Sequence, residues 1–204
     1  MGRKILFITS DQQRYDALGC NGGTIARTPV LDALSRAGIT FDRAHPQNVV
    51  CMPSRSTMLT GQHVSTHGVW RNGVPLPEDA PSIAADLRGA GYATALIGKA
   101  HFEPLLDPFL RFTENRLGAE RVNTDNPNDP HRGFDHMELA THGAVGQLHY
   151  SQWVRENHPE AIGNFYNVLD RELQVNAEGG GDTNADRKST RLNSSHEFVS
   201  RMPS

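Results

Sequence analysis

Cysteine is almost absent: Cys20 and Cys51 are the two in 204 residues. One pair cannot build a disulfide framework or a four-cysteine zinc site, which excludes a small stapled secreted fold. No sign of charge dominates either. Twenty Lys plus Arg face 23 Asp plus Glu, a net −3, which argues against an electrostatic nucleic-acid or membrane-surface binder. No apolar run approaches the roughly 20 residues of a membrane span. The run Ile5–Ile8 behind Arg3-Lys4 is far below a signal-peptide core. What remains is ordinary: 37% apolar residues plus 19 glycines, close to the roughly 45–50% of soluble globular domains. These absences predict a soluble, cytoplasmic chain of one-domain size with no nucleic-acid or membrane partner.

The pattern along the chain predicts an α/β fold, a mainly parallel sheet flanked by helices. Lys4–Ser10 is a nearly uninterrupted apolar run, which reads as a strand buried on both faces. Thr28-Pro29 opens a helix with Val30, Leu31 and Leu34 on one face and Gly38 as its stop. Ile39–Arg43 reads as a second, shorter strand and Ser54–Leu59 as a helix ending at Gly61. Pro81–Arg88 repeats the helix grammar with Ile83, Ala84 and Leu87 inward, and Tyr92–Gly98 reads as a third buried strand. Strands alternating with helices indicate a parallel sheet. Residues 104–185 are rich in Asn, Asp, Pro and His, with weak periodicity and a flexible-looking Gly179–Gly181 loop.

Ligands of open α/β sheets collect beyond the carboxyl ends of the strands. Asp11-Gln12 follow the first expected strand, Lys99-Ala100-His101 follow the third, and Cys51 precedes a helix. Three segments are therefore expected to point at one rim. No glycine-rich phosphate loop follows the first strand, which disfavours a nucleotide-binding protein.

Two longer motifs sharpen this reading. Cys51-Met52-Pro53-Ser54-Arg55, followed by Leu59-Thr60-Gly61, resembles the first signature of the sulfatase family. Gly91-Tyr92-Ala93-Thr94, followed by Gly98-Lys99-Ala100-His101, resembles the second. Asp11 stands where that family carries its first metal carboxylate, and Thr28-Pro29-Val30-Leu31-Asp32 resembles a T-P-N-L-D element with Val for Asn. His67-Gly68 and Gly133-Phe134-Asp135 also resemble family positions, so the likeness covers about residues 4–135.

The resemblance implies hydrolysis of sulfate esters through a modified cysteine. Such enzymes convert the signature cysteine, here Cys51, to formylglycine with the help of a formylglycine-generating enzyme. The hydrated aldehyde is a geminal diol. One hydroxyl, activated by a divalent metal, attacks the sulfur or phosphorus and expels the alcohol. The other hydroxyl then loses its proton, the carbon–oxygen bond to sulfate breaks, and the aldehyde returns. A serine has no second hydroxyl to drive that release. Cys20 sits outside any motif and reads as an inert thiol.

Asp11, Gln12 and the modified Cys51 are the expected metal ligands. The hard oxygens suit Ca²⁺ above all, or Mn²⁺ or Mg²⁺. Gln12 departs from the second aspartate of many sulfatases; it resembles phosphonate monoester hydrolases and choline-sulfatase-like members, and Gly98–Phe102 resembles the latter group. Arg55, with its rigid fork of donors, is suited to hold the diol or an ester oxyanion. Lys99 can neutralise a nonbridging oxygen, and His101 can orient the diol or move its proton. A helix starting near Ser54 is expected to aim backbone N–H groups at an anion. His67 is a candidate substrate contact. His45, His63, His131, His142, His149 and His158 show no ligand spacing.

Residues 186–204 resemble the translation of a short-read sequencing adapter, so residues 1–185 are expected to be the N-terminal part of a sulfatase catalytic domain and 186–204 a disordered, non-native tail. The further metal ligands of the family are expected downstream, and the chain as written is expected to be inactive. Phosphonate monoester or phosphodiester hydrolysis by the same machinery is the alternative.

Overall fold

The computed structural model describes residues 3–104, 109, 111–119, 131–140 and 148–162. The described residues divide into two compact units, those up to residue 45 and those from residue 46 onward. The Gly179–Gly181 loop and the tail 186–204 lie outside the described residues.

The first unit carries helix α1, Pro29–Ala37, with proline in its first turn and Gly38 at its C-terminal cap, as the sequence predicts. Thr28 does not cap through its side chain. Its hydroxyl instead accepts from Gly19 N at 2.8 Å and donates to Asp32 Oδ1 at 3.0 Å, and Asp32 Oδ1 accepts from Cys20 N at 2.7 Å. The T-P-V-L-D element thus fastens the Gly19–Asn21 turn, two short 3₁₀ turns after Arg14. A Cβ on Gly19 would meet the Asp32 carboxylate at 2.6 Å.

Lys4–Ser10 is not a strand. Ile5, Leu6, Phe7 and Ile8 are 62–73% exposed. An apolar run has only the tendency to be a strand; a hydrogen-bonded neighbour makes it one, and among the described residues the only ladder is formed elsewhere. Ile39–Arg43 likewise carries no strand, with Ile39 and Phe41 exposed. The expected inward face of α1 is open too, since Val30, Leu31 and Leu34 are all exposed.

The second unit holds the core. Helix α2 runs Cys51–Thr60, and the short α3 runs Val64–His67. Gly61 and Gly68 close them in the left-handed region that favours glycine. Helix α4, Ile83–Gly89, is capped by the Ser82 hydroxyl, which accepts from Ala85 N. It buries Ala84 while Ile83 stays exposed. Strand β1, Ala95–Gly98, is the C-terminal half of the expected third strand. It pairs in parallel with β2, His136–Leu139, with Ala95 opposite His136 and Gly98 opposite Leu139. Helices α5, Thr113–Ala119, and α6, Leu148–Asn157, complete the described elements with a 3₁₀ turn at Pro159–Ala161. Met52, Leu59, Val69, Leu76, Ala100, Phe102, Met137, Leu139 and Leu148 form one buried cluster. It sits beneath the start of α2 and the loop after β1.

Candidate functional site

Cys51 is the first residue of α2, one turn ahead of Arg55, and both are half-buried. The helix starts three residues earlier than its pattern predicts, because Asn48 Oδ1 accepts from Val50 N at 2.8 Å and turns the chain in. That start changes its anion-binding capacity. Met52 N donates to Asn72 Oδ1 at 3.0 Å, and Pro53 has no N–H. The first turn therefore offers an anion less than the expected fan of N–H groups; Asn72 takes one of them, and no motif marks Asn72 in the sequence.

Arg55 reaches across to the other signature. Its Nη1 donates to the Lys99 carbonyl at 2.5 Å. The segment Cys51–Arg55 and the loop after β1 are thus joined at this bond. Lys99 is half-buried, whereas His101 is 6% exposed.

His101 has left-handed backbone, φ 59°, a conformation that costs roughly 1–2 kcal/mol outside glycine. The Glu114 carboxylate holds it there. Its Oε2 accepts from His101 N and its Oε1 from Phe102 N, both at 2.9 Å. Glu114 is 1% exposed, so its charge rests on these charge-assisted bonds in a dry site. Glu103, buried as well, accepts from Glu114 N through Oε2 at 2.8 Å. Arg132 Nη2 stands 3.7 Å from Glu103 Oε1, and Phe102 O accepts from Leu76 N at 2.9 Å. Glu103, Glu114 and Arg132 carry no sequence motif, and their role is visible only once the fold closes.

Asp11 and Gln12 lie in the first unit, Asp11 half-buried and Gln12 exposed with φ 55°. Gln12 and His101 are thus both expected site residues with left-handed backbone. Such conformations gather at functional sites because the surroundings must enforce them.

His67 sits elsewhere than its expected role implies. It is 4% exposed; its Nε2 lies 3.0 Å from Thr57 Oγ1, and its Nδ1 accepts from Val69 N at 3.1 Å. The neutral ring with its proton on Nε2 satisfies both bonds. Burial pushes its pKa below the ordinary histidine value. In this geometry the two ring nitrogens join α2 to the segment after α3.

The remaining family-like positions knit the sheet. Thr94 Oγ1 donates to Gly133 O at 2.6 Å, and Asp135 Oδ2 lies 3.2 Å from Thr94 N and 3.1 Å from Thr94 Oγ1. Arg88 Nε donates to Asp135 Oδ1 at 2.6 Å. The Arg88 guanidinium first, then the Thr94 N–H, hold the Asp135 carboxyl below its ordinary range. Gly133 has φ +86°, and a Cβ there would strike the Ala85 backbone and lie 2.8 Å from Ala84 C. The Thr of the second signature and the Gly-Phe-Asp segment are therefore two halves of one junction.

Comparison with known proteins agrees with this arrangement of signatures. The sulfatase family model matches residues 3–188. The chain belongs to the sulfatase family, within the alkaline-phosphatase-like superfamily. It is 28% identical over 214 residues to an arylsulfatase of Clostridium perfringens, covering 98% of this chain and 40% of that protein. It is 35% identical over 100 residues to an ulvan-active sulfatase of Formosa agariphila, covering 49% of this chain and 20% of that protein. The phosphonate monoester hydrolase of Agrobacterium radiobacter is similar in structure with TM-score 0.54 at 30% identity, covering 75% of this chain and 28% of that one. The chain thus spans well under half the length of these relatives.

Proposed function

We propose that the protein hydrolyses sulfate esters of small molecules through formylglycine made from Cys51. The observation that carries this is the Arg55–Lys99 bond, which draws the cysteine-bearing signature to the lysine and histidine of the second. Arg55 and Lys99 hold the nonbridging oxygens of the ester and neutralise their charge. His101 orients the diol and takes its proton when the carbon–oxygen bond to sulfate breaks. His67 is proposed as a positioning residue that fixes α2 through Thr57. Asp11 and Gln12 offer an adjacent carboxylate and amide oxygen, a hard-donor set that would hold Ca²⁺, or Mn²⁺ or Mg²⁺. When bound, such an ion supplies Lewis-acid activation of the attacking oxygen.

The proposal includes a formylglycine-generating enzyme as partner and residues 1–185 as part of the catalytic domain, with 186–204 outside it. It also includes a cytoplasmic location, supported by a chain with two cysteines, too few for a disulfide framework. No helix among the described residues is long and apolar enough to cross a membrane.

Phosphonate monoester hydrolysis is the second reading, favoured by Gln12 and by two structural relatives named as phosphonate monoester hydrolases, with TM-scores 0.50 and 0.54. The chain is produced with a formylglycine-generating enzyme, and the Cys51 peptide should carry the aldehyde by mass spectrometry. A form spanning the length of its relatives should turn over an aryl sulfate, and Cys51→Ala should abolish it. An unmodified thiol refutes the sulfatase mechanism. Faster turnover of an aryl phosphonate selects the second reading.

A further inference from the structure

We propose that Glu103, Glu114 and His131 form a divalent-cation site of the zinc type, built of different residues from the metal ligands proposed at Asp11 and Gln12. One donor atom from each of the three lies within 4.8 Å of the others. Glu103 and Glu114 are 4% and 1% exposed, and carboxylates are almost never so buried without a countercharge or a metal. Arg132 is the cation beside them, but it stands 3.7 Å from Glu103 Oε1. Its guanidinium donates to the carbonyls of Pro77 and Leu76. Two buried carboxyl groups thus share one guanidinium that is hydrogen-bonded elsewhere. A carboxylate offers about four lone-pair sites. Backbone N–H groups occupy two on Glu114 and one on Glu103, which leaves both able to ligate.

His131 supplies a separate observation. Its side chain is 9% exposed and its Nε2 lies 3.8 Å from Glu114 Oε1, too long for a hydrogen bond. That buried nitrogen has no hydrogen-bond partner among the described residues. A buried polar atom left unsatisfied is costly, and native proteins rarely tolerate one without a reason. A cation taking the Nε2 lone pair removes the cost and neutralises the carboxylates together. One imidazole with two carboxylates, closed from solvent, suits Zn²⁺; Ca²⁺ demands six or more oxygens. Ligation at roughly 2.0–2.2 Å brings tetrahedral donors to about 3.3–3.6 Å of one another. For His131 and Glu114 that is a closure of about 0.2–0.5 Å from the present 3.8 Å. Because Glu114 also holds the N–H groups of His101 and Phe102, the ion would stiffen the loop that carries the second signature.

The test does not depend on the esterase reading. The chain carrying Asp11→Asn and Cys51→Ala, stripped with chelator, is titrated with Zn²⁺ alone. Equilibrium binding should give one tightly held zinc per chain. Glu103→Gln and His131→Gln, confirmed folded by circular dichroism, should weaken it by at least the roughly 10- to 100-fold that loss of even an outer partner costs. Proton–nitrogen NMR of the chain with its three ligands intact should show the His131 Nε2 resonance move on zinc addition. Absence of tight zinc, equal affinity in a folded His131→Gln chain, or an unmoved His131 overturns the proposal. The last reading holds even where the variants fail to fold.

Discussion

Removing the Glu114 carboxylate tests whether the loop after β1 is held from behind. In Glu114→Ala, His101 N and Phe102 N lose the acceptors they now meet at 2.9 Å. A buried donor left unmet costs about 1–3 kcal/mol, so the pair amounts to about 2–6 kcal/mol. That is a large share of the roughly 5–15 kcal/mol that keeps a domain folded. Glu114→Gln retains one carbonyl oxygen but turns an NH₂ group toward the other backbone donor, and should lose about 1–3 kcal/mol. Urea unfolding in the presence of chelator reads the global effect. Amide hydrogen exchange at His101 and Phe102 reads the local one, and both amides should lose protection first. The left-handed His101, φ 59°, should then relax, because the Glu114 carboxylate that accepts from its backbone N–H is gone. Unchanged exchange at these two amides, with a urea midpoint matching the parent, would refute the reasoning.

Gly133→Ala should destabilise far more than Gly73→Ala: both glycines have left-handed φ, but only a Cβ at 133 meets backbone, that of Ala84 and Ala85. Overpacking of about 1–3 kcal/mol adds there to the conformational cost, and thermal melting of the two variants compares them directly. Asp135 has a folded pKa held below its unfolded value of about 3.9. Its stabilisation is therefore full above that unfolded value and lost as pH falls through the folded one. Asp135→Asn should flatten the acid limb of melting temperature against pH, and parallel curves would contradict the Arg88 pairing. For His67, burial lowers the folded pKa below the unfolded value of about 6.5. Stability should decline as pH falls from about 6.5 toward the folded value, and His67→Gln should lose that dependence. The exposed run Ile5–Ile8 should drive association, so Ile5→Lys with Phe7→Lys should reduce light scattering on warming.

Much of the second unit was legible because its signals are local. Gly61 is a stop that acts within a few residues, and the structure keeps it as the cap of α2; Tyr92–Gly98 holds β1 up to its expected last residue. The meeting of the two signatures was also legible, since each motif carries its own spacing and Arg55 is long enough to reach Lys99 O. Strand β2 escaped notice although Met137 and Leu139 alternate with exposed Glu138; four residues are too few for period two to stand out. Lys4–Ser10 failed for the opposite reason: its apolar run is strong, but pairing decides a strand and sequence does not show the partner.

The buried acids mark the boundary of what a sequence can disclose. Glu103 and Glu114 look like surface residues, because hydropathy assigns every carboxylate to water. What brings them inside is backbone: His101 N, Phe102 N and Glu114 N are donors that every residue type possesses, so no side-chain pattern announces them. The catalytic-type signature and its support are therefore written in different alphabets, side-chain identity for Lys99 and His101, and chain geometry for the carboxylates behind them. A left-handed histidine is the visible consequence where the two meet. It follows that replacing His101 by Gly should relieve the backbone cost that Glu114 offsets. The double variant His101→Gly with Glu114→Gln should then lose less stability than the sum of the single changes, by roughly the 1–2 kcal/mol of the left-handed conformation. Strict additivity in a double-mutant cycle would show that Glu114 serves the fold alone and does not act through His101.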